Sequence, residues 1–228
     1  MEMTPIAHVR SDFPGKFGIP RQSRLVEELT ATVVFTPEFR NPDALRGLEG
    51  FSHIWLIWEF SESVGTPWSP TVRPPRLGGN MRMGVFATRS PFRPNPLGLS
   101  PVRLEGLEKT QDVGTVLRIR GADLMDGTPV YDIKPYVPYV DSIPDAAGGF
   151  ASVPAEERLE VVCSPDLLER LPAGKQKALV SVLAHDPRPP YHHDPERVYA
   201  LEFAGAVVRF RVEGDRLCVV DIGQDGSI

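Results

Sequence analysis

Apolar and polar positions alternate with a period of two along most of this chain, which predicts strands in place of long helices. Residues 29–35 (LTATVVF) are rich in β-branched side chains, as a half-buried strand requires. Residues 51–60 (FSHIWLIWEF) are apolar on both alternating faces and predict a buried central strand, in which His53 reads as a hydrogen-bonded core histidine. A short first strand is expected at 5–10, then a Gly- and Pro-bearing loop to residue 20. Further strands are expected at 83–88, at 102–107 and 116–119 as a hairpin or meander, and at 131–134 after the turn dipeptide Asp126-Gly127. Asn41 and Pro42 read as the cap and first position of a helical turn over 41–48.

The polar, Gly-rich stretch 141–149 (DSIPDAAGG) marks a boundary, because few contacts cross such a segment. Beyond it the pattern changes. A strand at 159–163 leads into Ser164-Pro165-Asp166, a hydroxyl cap with Pro at the first helical position. A second short helix is expected at 174–183, then a meander at 199–203, 207–212 and 217–222. The fold class is therefore mainly β (α+β): an antiparallel β-barrel domain over 1–145 and a small C-terminal α/β subdomain over 150–228.

Composition narrows the function classes. The 228 residues carry a formal charge of −5, so any nucleic-acid contact must come from local patches. Cys163 and Cys218 have no metal or disulfide spacing and read as buried free thiols of a reducing compartment. The N-terminal stretch lacks an apolar signal core, and no apolar run approaches ~20 residues, so a cytoplasmic chain without membrane attachment is expected. No GxGxxG follows a strand, and P-loop, HExxH and GxSxG motifs are missing. His192-His193-Asp194 sits on a Pro-flanked loop where adjacent side chains diverge, so no metal is expected.

One block runs against the overall charge. Arg73, Arg76, Arg82, Arg89, Arg93 and Arg103 fall in a stretch, 63–104, that holds no Asp, Glu or Lys. Guanidinium forks suit bidentate recognition of carboxylate or phosphate. Prolines at 67, 70, 74, 75, 91, 94, 96 and 101 stiffen the same block and exclude most regular structure from it. A rigid cationic loop of this kind is suited to hold an anionic ligand.

The runs RPPRLGGN and GVFATRSPFRPNPLGLS within 71–100, and DGTPVYDIKPY at 126–136, resemble the signature blocks of the TrmO/TsaA-like family. Similar blocks lie at 20–26, 46–58 and 183–199, so the resemblance covers most of the chain. It implies an S-adenosylmethionine-dependent tRNA adenosine N6-methyltransferase on a β-barrel, working as a homodimer. Its substrate would be N6-threonylcarbamoyladenosine at position 37, in the anticodon loop. The matching positions imply that Gln22, Ser23, Arg24, Glu62, Ser63, Arg89, Leu99, Gly121, Ala122 and Asp123 hold the cofactor. Ser61-Glu62 departs from the His-Gln type of pair associated with the family at that place.

The residue chemistry supports part of this assignment. Arg89 can fork the cofactor carboxylate, Gly121 allows close backbone approach, Asp123 can accept from ribose or ammonium, and Leu99 offers an apolar wall. Arginines beside a sulfonium would be repelled, so the others are assigned to RNA. Arg76 or Arg93 would grip the threonyl carboxylate, while Lys134, Tyr136, Arg188, Tyr191 and Arg197 would meet phosphates and bases; an Asp186–Arg188 pair stapling the turn to the barrel is the equal alternative for Arg188. Asp126 and Asp132 are candidates for the carboxylate that takes the N6 proton. Two rivals are a non-catalytic RNA-binding barrel module and a small-molecule transferase or hydrolase with an anionic substrate; cofactor titration, then tRNA with and without the threonylcarbamoyl group, separates the three.

Overall fold

The computed structural model describes residues 2–78, 80–152, 158–189 and 194–224. In the first half, strands β1 (Ala7–Arg10), β2 (Thr30–Phe35), β3 (His53–Glu59), β6 (Leu97–Thr110), β7 (Gly114–Arg120) and β8 (Pro129–Pro135) carry the main sheet, and a short pair, β4 (Thr71–Val72) and β5 (Met83–Gly84), lies outside it. The main sheet hydrogen-bonds as a ring in the order β1-β2-β7-β6-β3-β8, with β8 returning to β1 through Ala7↔Val130 and His8↔Pro129. All its pairings are antiparallel. Pairing around a ring covers most strand edges, though β6 lacks a β7 partner before Arg103.

Period-two patterning explains what fills it. On β3, Ile54, Leu56 and Trp58 are buried while His53, Trp55, Ile57 and Glu59 alternate outward, half-buried. Val9, Val33, Val102, Leu117, Ile119 and Val130 complete the interior. His53 is thus an outward residue and not a core one. Its Nδ1 lies 2.9 Å from Ser52 Oγ, and burial, then Arg24 and Arg103, push its pKa below the ordinary value.

Three local expectations need correction. The strand expected at 83–88 is only Met83–Gly84, followed by a 3-10 turn, Val85–Ala87. Strand β6 begins at Leu97, ahead of the expected 102, and carries Pro101 inside it. That proline is tolerated because β6 pairs with β7 only from Arg103 onward, so Pro101 faces β3 alone. Ser164 precedes helix α2 (Pro165–Leu168), which follows α1 (Pro138–Asp141), but no side-chain cap bond forms; its carbonyl accepts from Leu167. The cap at Asn41 does form, its side chain accepting from the Asp43 N–H at 3.0 Å.

The second half builds its own core. Strands β9 (Glu160–Val162), β10 (Tyr199–Phe203), β11 (Ala206–Glu213) and β12 (Arg216–Gly223) order as β10-β11-β12-β9, with β9 parallel to β12. Helix α3 (Ala173–Ala184) buries Ala178, Leu179, Val182 and Leu183 against Leu201, Phe203, Phe210 and Leu217. Phe13, Val26 and Leu29, from the segment between β1 and β2, belong to this second core. Lys175 fixes the same segment, 2.7 Å from Asp12 and donating to Thr30 Oγ1 at 3.0 Å. Cys163 and Cys218 are free and only half-buried, short of the full burial expected. Among the described residues no helix is long and apolar enough to cross a membrane.

Candidate functional site

Where β3 ends and β6 begins, the Pro-rich block folds back over the rim of the ring. The Phe60 N–H donates to the Pro96 carbonyl at 2.8 Å, and the Ser69 N–H donates to the Phe92 carbonyl at 3.2 Å. Arg93 ties the loop from within, its Nη1 donating to the carbonyls of Thr88 (2.7 Å), Val85 (3.3 Å) and Ser90 (3.4 Å). Its guanidinium also lies 5.9 Å from the Phe86 ring centroid. The prolines remove donors and the arginine satisfies the carbonyls left over, so a segment without regular structure is still held in one shape.

Beneath this loop opens a cavity of about 550 Å³. Gln22, Glu62, Ser63, Arg89, Leu99 and Asp123, all singled out from the sequence, line it, together with Phe92 and Arg93. Arg89 donates to the Gln22 side-chain carbonyl across the mouth. Leu99 is 55% exposed and presents an apolar wall. Asp123 is half-buried, and burial pushes its pKa above the ordinary carboxylate value. The Ser100 hydroxyl, the backbone N–H groups of Asp123 and Ser23, and the charge of Arg89 act in the opposite sense.

Ser23, Arg24, Gly121 and Ala122 stand behind the wall. The Arg24 N–H donates to the Gly121 carbonyl at 2.8 Å, and the Gly121 N–H to the Leu29 carbonyl at 2.8 Å. Both Arg24 (φ 67°) and Gly121 (φ 73°) are left-handed, and a Cβ on Gly121 would meet Arg24 Cα at 3.4 Å. Glycine there lets the two segments touch, which delivers Gln22 and Ser23 to Asp123. Ala122 points into the core of the ring.

The remaining sequence candidates lie elsewhere. Asp126 closes its Asp-Gly turn against β1, accepting from the Ser11 N–H at 3.0 Å with Arg10 at 3.7 Å, and faces a second cavity of about 330 Å³ beside Lys175. Asp132 pairs with Lys134 at 2.9 Å on β8. Neither carboxylate lines the first cavity. Tyr136 packs beside Trp55, ring centroids 5.6 Å apart. The Arg188 fork is taken by Asp186, at 2.8 and 2.9 Å, and is 12% exposed. Arg197 lies exposed over the Tyr199 ring at 5.3 Å. Tyr191, His192 and His193, with the side chain of Arg76, lie outside the described residues. Among those described, no cluster of three or more His, Cys, Asp or Glu is placed to hold a metal.

Sequence reasoning missed Glu59, Trp58 and Ser100, which also line the cavity. Ser100 had a signal: in LGLSPVRL it takes a position in phase with Val102 and Leu104, so a hydroxyl is turned inward.

Comparison with known proteins bears on both halves. A family model for the tRNA-methyltransferase O N-terminal domain matches residues 8–142, and one for the TrmO C-terminal domain matches 156–225. A tRNA (adenine(37)-N6)-methyltransferase of Escherichia coli is 44% identical over 215 residues, covering 91% of each chain. A Pseudomonas aeruginosa protein, RcsF, provisionally named an S-adenosylmethionine-dependent methyltransferase, is 43% identical over 87% of each. The crystal structure of TrmO from Pseudomonas aeruginosa superposes with a TM-score of 0.80 at 36% identity, covering 98% of this chain and 97% of that one.

Proposed function

The chain belongs to the TrmO family, and we propose that it methylates tRNA adenosine 37 on N6, with S-adenosylmethionine as donor and the threonylcarbamoylated base as acceptor. The observation that carries this reading is one cavity lined by Gln22, Glu62, Ser63, Arg89, Leu99 and Asp123 in a chain matched along both halves by its family. Its size lies within the ~300–1,000 Å³ usual for ligand sites.

The lining fits the donor chemically. Arg89 offers a fork to a carboxylate, Asp123 an acceptor for hydroxyl or ammonium groups, and Leu97, Leu99 and Phe60 apolar surface for a purine. When bound, S-adenosylmethionine supplies a methyl group activated by a positively charged sulfur. The protein's task is alignment and exclusion of water. The exocyclic nitrogen is a poor nucleophile, and positioning reacting groups can contribute ~7–11 kcal/mol. Arg89, tethered to Gln22, stays at the mouth, where like-charge repulsion with the sulfonium is least. Asp126 and Asp132 are held by cations outside the cavity, so the role of proton acceptor passes to Glu59 or Glu62, which line it.

The acceptor's threonyl carboxylate suits Arg76, since Arg93 is engaged by carbonyls. Lys134, Tyr136 and Arg197 would contact the anticodon loop by charge and stacking. Residues 1–145 then form the donor-binding barrel domain and 150–228 a tRNA-contacting subdomain, in a cytoplasmic enzyme. A homodimer is supported by the large apolar side chains left exposed between Ser63 and Arg89, Val64 (56%), Trp68 (51%), Met81 (57%) and Phe86 (74%). Mass spectrometry of nucleosides, after incubating tRNA with the chain and labelled donor, tests the reading. Methyl-threonylcarbamoyladenosine is expected only from tRNA bearing the threonylcarbamoyl group. Equal labelling of tRNA without it would refute the acceptor.

A further inference from the structure

The cavity wall contains a hydroxyl with no task in the reaction as described. Ser100 is 2% exposed and lies between two groups of fixed character. The Trp58 indole N–H donates to its Oγ at 3.0 Å, and Asp123 Oδ1 lies 2.7 Å away on the other side. An indole N–H can only donate, and a serine hydroxyl has one proton. With Asp123 ionised, Ser100 must accept from Trp58 and send its proton to the carboxylate.

We infer that Ser100, oriented by Trp58, is a positioning residue that holds Asp123 by Oδ1 and so fixes the orientation in which the carboxylate meets the hydroxyl or ammonium groups of the methyl donor. The inference rests on the reading of Asp123 as a donor-binding residue. Strand register supports it. Gly98 is paired with Trp58, and Ser100 follows two residues later on the same inward face. A Cβ at Gly98 would lie 2.2 Å from Trp58 Cε2, so only glycine lets the indole cross β6 to reach Ser100. The charged side chains that share the cavity with Asp123 are Lys16, Arg21, Glu59, Glu62, Arg89 and Arg93. Arg89 favours the ionised carboxylate, in the same sense as the Ser100 hydrogen bond.

Calorimetric titration of the full chain with S-adenosylmethionine across a pH series tests the relay. Ser100→Ala is expected to weaken binding about tenfold near neutrality, as loss of a hydrogen bond to a charged group predicts. It should also move the acidic limb of the affinity profile to higher pH, which a purely structural role would not do. Ser100→Thr keeps the hydroxyl and should restore the limb. Trp58→Phe frees the serine rotamer and should shift the limb the same way by less. If Asp123→Asn weakens binding but Ser100→Ala leaves affinity and limb unchanged, the positioning role is wrong. If Asp123→Asn itself binds like the parent, the donor-binding reading of Asp123 falls instead. Should Ser100→Ala fail to fold by circular dichroism, Trp58→Phe decides: an unmoved limb overturns the inference.

Discussion

Gly98 is the residue on which β6, the core and the cavity wall all depend, so Gly98→Ala is the most informative single substitution. A Cβ there would sit 2.2 Å from Trp58 Cε2, 2.4 Å from Cζ2 and 2.7 Å from Cδ2, distances at which something must move. The indole cannot swing freely, because Trp58 is 7% exposed and packs on Phe60 with centroids 4.3 Å apart. Overpacking a core costs ~1–3 kcal/mol, and displacing the indole N–H from Ser100 adds ~1 kcal/mol. The expected loss is therefore about 2–4 kcal/mol, or about 4–16 °C in Tm for a chain of this size. Differential scanning calorimetry measures it directly. Gly50→Ala, with nothing within 4 Å of its added Cβ, is the control and should stay within ~0.5 kcal/mol of the parent. Trp58→Phe introduced with Gly98→Ala should recover part of the loss, since the two side chains compete for one space. A Gly98→Ala chain that melts like the parent would refute the close packing on which this reasoning stands.

Lys175→Ala leaves Asp12, 13% exposed, without its cation and should cost about 2 kcal/mol in urea unfolding. Burial raises the Asp123 pKa above the ordinary 3.8. Between the two values the folded chain binds a proton that the unfolded chain has released. That contribution to stability is complete below the ordinary value and is lost as pH rises through the raised one. Asp123→Asn should flatten this slope in denaturant titrations across acidic pH. Asp126→Asn should keep near-normal methylation in a labelled-donor assay while losing about 1 kcal/mol of stability, if the carboxylate acts through its bond from the Ser11 N–H; loss of methylation in a folded chain would return it to the role of proton acceptor.

Strand positions were legible because period-two patterning is local. β3 was legible as a strand but its two faces were not: both are apolar in sequence, and only the register turns His53, Trp55 and Ile57 outward. The basic block was legible as a loop of fixed shape for a similar reason, its prolines acting on their own φ angles. What the sequence leaves hidden depends on register or on distant partners. Pro101 looked like a strand terminator, yet β6 runs through it because the β7 partner begins two residues later. Asp126 and Asp123 both follow β7 and look alike as carboxylates, but one faces β1 and the other the cavity. The Arg188 fork suited phosphate or Asp186 equally in the sequence, and only the fold shows Asp186 within reach of both its ends.

The same distinction bears on how the two halves work together. The segment that brings Gln22 to the cavity and Ser23 to Asp123 is anchored by Phe13, Val26 and Leu29 in the core of the second half. Gly18 rests against Leu201, where an added Cβ would lie 2.3 Å from the leucine Cδ1. Leu201 is fully buried on β10 and does not line the cavity. Leu201→Ala should therefore do two things at once. It should lower stability by about 2–5 kcal/mol through the cavity it leaves. It should also weaken S-adenosylmethionine binding several-fold at a temperature where the chain is still folded, because the loop carrying Gln22 loses its support. Calorimetric titration well below the measured Tm separates the two effects. Loss of stability with donor affinity unchanged would mean that the cavity loop is held by its contact with Gly121 alone, and that the second half contributes nothing to the donor site.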